Sequence, residues 1–138
     1  MLTSCFRVLH VFLTTRGSAS ESSLYEYEPE NGEGVDVYVV NTNINLHHVE
    51  FKDRASWGRT IPQNDVDKFG NSYGTHCTDT IDSRKYGVAK GANLIAVKAL
   101  DSNRSGTTAD VVGGLLWAAE QAASQLAAAK AEYVATGN

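Results

Sequence analysis

Positive charge is scarce and scattered: 12 Lys and Arg stand against 16 Asp and Glu, for a formal net charge of −4. A chain that grips phosphates needs a basic face, so general nucleic-acid binding is not expected. Long apolar runs are missing as well, and none approaches the roughly 20 residues that span a bilayer, so no membrane partner is expected. Two cysteines, Cys5 and Cys77, are too few for a disulfide framework. A bridge between them has nothing to support it, and Cys77 reads as a free thiol packed as a small apolar residue. Neither a phosphate-cradling loop nor a dinucleotide-binding glycine motif occurs, and no cofactor is expected. What is there is ordinary: 138 residues, 42% hydrophobic and 20% charged, enough for one modest domain with a single core.

The first 20 residues carry an apolar stretch ahead of Ser18-Ala19-Ser20, in the manner of a secretory leader. Arg7 and His10 interrupt it, and little positive charge precedes it, so residues 1–23 are expected to be a disordered tail. The pattern sharpens at Val35–Val40, "VDVYVV", a β-branched and aromatic run that predicts a buried strand. A polar stretch of no dominant period follows from Asn41 to Asn71 and reads as a long loop. A short helix is predicted from Tyr73 to about Ser83, and a second strand over Asn93–Leu100.

The last part predicts a long helix, with Thr107 and Asp110 spaced as a capping box. Val111, Leu115, Ala118, Ala122 and Leu126 fall on one stripe that is expected to face the core. Gly113 and Gly114 each weaken that helix by up to ~1 kcal/mol, which points to close approach of another element. Strand, helix, strand, helix in this order implies parallel strands and an α/β layer fold. Sites in such sheets form beyond the carboxyl ends of the strands, which places Asn41 where chemistry is expected.

Three stretches line up in order: "GEGVDVYVVNTNIN", "GNSYGTHCTDT" and "YGVAKGANLIAVKAL". Together with "RASWGRTIPQNDVD" and "SNRSGTTADVVGGLLWAAE", they resemble the first half of a subtilase. The resemblance is to the fungal proteinase K and cerevisin-like branch of these serine endopeptidases (peptidase S8). It covers residues 24–138, and implies a truncated S8 domain. The fold implied is a partial subtilisin-like parallel sheet with flanking helices, an incomplete three-layer α/β/α arrangement.

The family's first motif is Asp-Thr-Gly, whose aspartate orients the catalytic histidine. Here the place reads Asn41-Thr42-Asn43, a neutral amide for the acid and an asparagine for the glycine. The second motif, Gly-His-Gly-Thr-His, contributes the general base; here it reads "SYGTH", with Tyr73 at the base position. A free phenol titrates near ~10 and is a poor base at neutral pH. His76 matches the family's second, non-catalytic histidine and is expected to be structural. The nucleophile motif Gly-Thr-Ser-Met-Ala, the Ser-Leu-Gly-Gly wall and the oxyanion asparagine lie, in the family, beyond the equivalent of Asn138. The family's Gly-Ser-Gly edge, which pairs with substrate backbone, reads Arg104-Ser105-Gly106, so Ser105 and Gly106 are the candidate substrate-binding residues. The same segment holds the glycosylation triplet Asn103-Arg104-Ser105.

His47 and His48, near Glu50, are adjacent and point apart in extended chain, with no third ligand at suitable spacing, and Asp79 and Asp82 read as helix-surface charge; no metal is expected. The expected function is that of a catalytically inactive subtilase homologue, a pseudoprotease. The alternatives are a decoy that binds peptide, a subtilase, a propeptide or an inhibitor, and a fragment with no function. The family is secreted or vacuolar, but the weak leader pattern assigns no compartment.

Overall fold

The computed structural model describes residues 32–63, 65 and 72–136. The predicted tail over 1–23, and its boundary with the domain, lie outside them. The elements run β1 (Asp36–Asn41), β2 (Ala55–Thr60), α1 (Tyr73–Asp82), β3 (Asn93–Lys98) and α2 (Thr108–Thr136). All strands are parallel, in the order β1-β3-β2. β1 and β3 pair in continuous register from Asp36↔Asn93 to Asn41↔Lys98.

Side chains alternate across a strand, and both faces of this sheet are used. On one face Val37, Val39, Leu94 and Ala96 join Ile44, Phe51, Ala89 and Ala92 in a buried cluster, with Ile81 of α1 packed against it. On the other face α2 crosses close to the sheet. A Cβ built at Gly114 would stand 3.0 Å from a Val40 methyl and 3.4 Å from Val97 and Ala99. Trp117 meets the Tyr38 ring edge-on at 6.1 Å. A helix on each face makes three layers, as the two-helix, parallel pattern predicts.

β2 is the element that the pattern did not reveal. It sits at the edge of the sheet, where one side is left open, and its register slips between Trp57 and Arg59. The slip at Gly58 brings the backbone against Ile95 and Trp117: a Cβ there would stand 2.7 Å from Ile95. The 41–71 region is therefore no continuous loop.

The stripe on α2 is covered only in part. Val111, Leu115 and Ala118 are half-buried, but Ala122 is exposed and Leu126 is 56% exposed. The reason is length: 29 helical residues extend about 43 Å, whereas six-residue strands cover about 20 Å. The helix outruns the sheet that would cover it. Its start matches the expected box: Asp110 N–H donates to Thr107 Oγ1 (3.1 Å), and Thr107 N–H and hydroxyl donate to Asp110 Oδ2 (3.0 and 2.7 Å). Those bonds hold the Asp110 carboxyl below its ordinary range.

Candidate functional site

The carboxyl end of β1, with that of β3 beside it, meets the start of α1, and this junction carries Asn41 and Tyr73. Asn41 is the last residue of β1 and is buried, at 6% exposure. Its Oδ1 accepts the Thr42 N–H at 2.7 Å, and its Nδ2 points at Cys77 Sγ, 3.9 Å away. Its carbonyl accepts the N–H groups of Ala99 and Leu100 (2.9 and 3.3 Å). Cys77, in no disulfide among the described residues, stands one helical turn after Tyr73. Asn41 thus lies against the face of α1 that begins at Tyr73.

Tyr73 opens α1 and is 38% exposed. What fixes this end of the helix is the next residue. Gly74 N–H donates to Thr42 Oγ1 (3.3 Å), and Thr75 Oγ1 accepts Asn45 N–H (2.8 Å). A Cβ at Gly74 would fall 1.8 Å from the Asn43 carbonyl oxygen, so only glycine fits. Asn43 itself is 2% exposed with φ of 155°, a backbone that L residues rarely adopt. Its Oδ1 accepts the Ile44 N–H, while Nδ2 is buried without a partner among the described residues.

Lys98 is the site residue that sequence reasoning missed. It faces Asn41 across the β1–β3 register and is 1% exposed, on the same side of the sheet. A buried ammonium needs a counter-charge, and Asp65 supplies one at 2.7 Å. The only sequence signal was its place at the carboxyl end of an apolar strand, which does not tell a buried lysine from an exposed one.

The opposite end of α1 is held by a second buried charge. Asp82 was expected on the helix surface; its side chain has no exposure and pairs with Arg54. Arg54 also donates to the carbonyls of Ala92 and Asp82 (both 3.1 Å) and of Glu50 (3.5 Å). Burial raises the Asp82 carboxyl to about 6, against the lowering effects of Arg54 and Lys90. Asp79 is likewise half-buried rather than solvated.

His76 is exposed rather than built into the core. His48 packs its ring 5.4 Å from Phe51, with Nδ1 buried, so it is no solvated loop histidine; His47 is exposed. Among the described residues no His, Cys, Asp and Glu cluster could hold a metal ion. No helix of the described residues is long and apolar enough to cross a membrane.

Ser105 and Gly106 lie apart from Asn41 and Tyr73 in the chain, in the exposed turn between β3 and α2. Ser105 uses its backbone inside that turn: its N–H donates to Asp101 Oδ1 and its carbonyl accepts Asp101 N–H, both at 2.8 Å. Arg104 is held at φ 65°, in the left-handed region.

Comparison with known proteins bears on the chain as a whole. The chain is 58% identical over 106 residues to the subtilisin-like serine protease Pen c 2 of Penicillium citrinum, which covers 77% of this chain and 23% of that one. Over 96 residues it is 59% identical to the subtilisin-like serine protease Pen ch 18 of Penicillium rubens, covering 70% of this chain and 19% of that one. The chain is a homologue of the subtilisin-like serine proteases. A solved cold-adapted subtilisin-like serine proteinase matches the fold at a TM-score of 0.64 and 39% identity, over 68% of this chain and 35% of that one. No family model matches the chain. It spans about a fifth of the length of the curated relatives it matches. The parallel sheet with two helices is therefore a portion of the subtilisin-like fold.

Proposed function

We propose that this portion of a subtilisin-like serine endopeptidase is catalytically inactive, a pseudoprotease in which Asn41 and Tyr73 occupy the acid and base positions. The observation that carries the proposal is the setting of Asn41. Its amide oxygen is engaged by Thr42 N–H and its amide nitrogen by the Cys77 sulfur. No negative charge stands at position 41 to stabilise an imidazolium, and position 73 offers a phenol in place of an imidazole. The lysine in register with Asn41 takes its counter-charge from Asp65. Substrate binding at Ser105–Gly106 would be weak, because Asp101 already occupies the backbone groups of Ser105. Purified chain incubated with a fluorogenic peptide and a serine-reactive phosphonate should show neither turnover nor labelling. Reproducible labelling with turnover contradicts the proposal.

A second reading, a decoy that binds a subtilase, its propeptide or an inhibitor, is favoured by the far half of α2. There Leu126, Tyr133 and Val134 are 56, 64 and 82% exposed, an apolar surface suited to association. Recovery of none of these partners at micromolar concentration in a pull-down counts against it. A cooperative denaturant transition separates both readings from a fragment without function.

A further inference from the structure

We infer that Asn103 is an acceptor site for an N-linked oligosaccharide. Asn103-Arg104-Ser105 is the sole Asn-X-Ser/Thr triplet in the sequence, and the middle residue is not proline. The triplet forms the outer part of the β3–α2 turn, and residues 102–106 are all exposed. Asp101 builds the turn by engaging only backbone groups of the triplet: its Oδ1 accepts the N–H of Asn103 and of Ser105 (both 2.8 Å), and its carbonyl accepts Arg104 N–H at 3.0 Å. The Asn103 amide and the Ser105 hydroxyl, the two groups that the transfer uses, consequently have no partner among the described residues. The amides of Asn41 and Asn43 are buried and belong to no such triplet.

The donor is a lipid-linked oligosaccharide diphosphate presented by an oligosaccharyltransferase. Asn103 Nδ2 attacks the anomeric carbon, the bond from that carbon to the diphosphate oxygen breaks, and the lipid diphosphate leaves. The amide proton passes to a base of the transferase, and no oxidant or reductant is needed. A glycan there stands two residues before Ser105 and three before Gly106, and shields that edge from an approaching peptide. The shielding rests on the subtilisin-like reading of the edge; the acceptor site does not.

The full chain, expressed in yeast behind a secretory leader, tests this by intact mass in both medium and microsomal fraction, so that poor export hides nothing. A ladder of hexose increments is expected, removed by a glycan amidase that leaves aspartate at position 103. Asn103→Gln and Ser105→Ala should each abolish the ladder, and Ser105→Thr should retain it. The glycosylated and Asn103→Gln proteins should unfold at the same denaturant midpoint, because the site touches no packed surface. An unmodified mass in both fractions, or a ladder that survives Asn103→Gln, overturns the inference. A glycoform that unfolds earlier than Asn103→Gln overturns the exposure from which the site is argued. Fluorogenic-peptide turnover, the readout for inactivity, is separate from all of these.

Discussion

Asp82→Asn should flatten a pH dependence created by the buried pair at the end of α1. The Asp82 side chain has no exposure, and burial outweighs Arg54 and Lys90, raising its carboxyl from 3.8 to about 6. Because the folded value lies above the unfolded one, protonation favours the folded state. The stabilising share is complete below 3.8 and is lost as pH rises through about 6. At about 1.4 kcal/mol per unit, the gap amounts to about 3 kcal/mol. Asparagine keeps an oxygen for Arg54 and removes the ionisation. Denaturant titrations of both proteins between about pH 3.5 and about pH 7 isolate the group from the other carboxylates. The wild type should gain up to about 3 kcal/mol relative to Asp82→Asn as acid is added. Parallel profiles would refute the burial argument. A wild type that loses ground on acidification would show that the ion pair dominates.

Gly74→Ala should lower stability by about 3 kcal/mol, because its Cβ would fall 1.8 Å from the Asn43 carbonyl and force α1 away from Thr42 and Asn45; the denaturation midpoint reads it. Asp65→Asn should destabilise by about 3 kcal/mol at neutral pH by removing the Asp65 charge from its pair with the buried Lys98 ammonium, and replacing Lys98 by methionine in the same protein should recover part of the loss. Thr107→Ala should cost about 1 kcal/mol through loss of the α2 cap, seen as an earlier thermal transition.

The sequence made β1, α1, β3 and α2 readable because their apolar residues recur at strand or helix periods. β2, "ASWGRT", was not readable. An edge strand buries less, and the slip at Gly58 breaks the alternation by which strands are recognised. The stripe on α2 gave the helix and its inward face, but periodicity carries no information on how far the covering sheet extends. At the site, family resemblance singled out Asn41 and Tyr73, and the chain does bring Asn41 against the helix that Tyr73 opens. Lys98, Arg54 and Asp82 stayed hidden because a buried charge looks like a surface charge until its partner, 28 residues away for Arg54 and Asp82, is placed beside it.

The most direct test of inactivity transplants the segment. Residues 36–136 would replace the corresponding part of an active subtilisin-like protease, and inhibitor binding would verify that the chimera folds. With Asn41 and Tyr73 in place, peptide hydrolysis should fall by about 10⁴ or more, and Asn41→Asp with Tyr73→His should restore most of it. A folded chimera that hydrolyses peptide at the parental rate while keeping Asn41 and Tyr73 would contradict the proposal that these two positions abolish the chemistry.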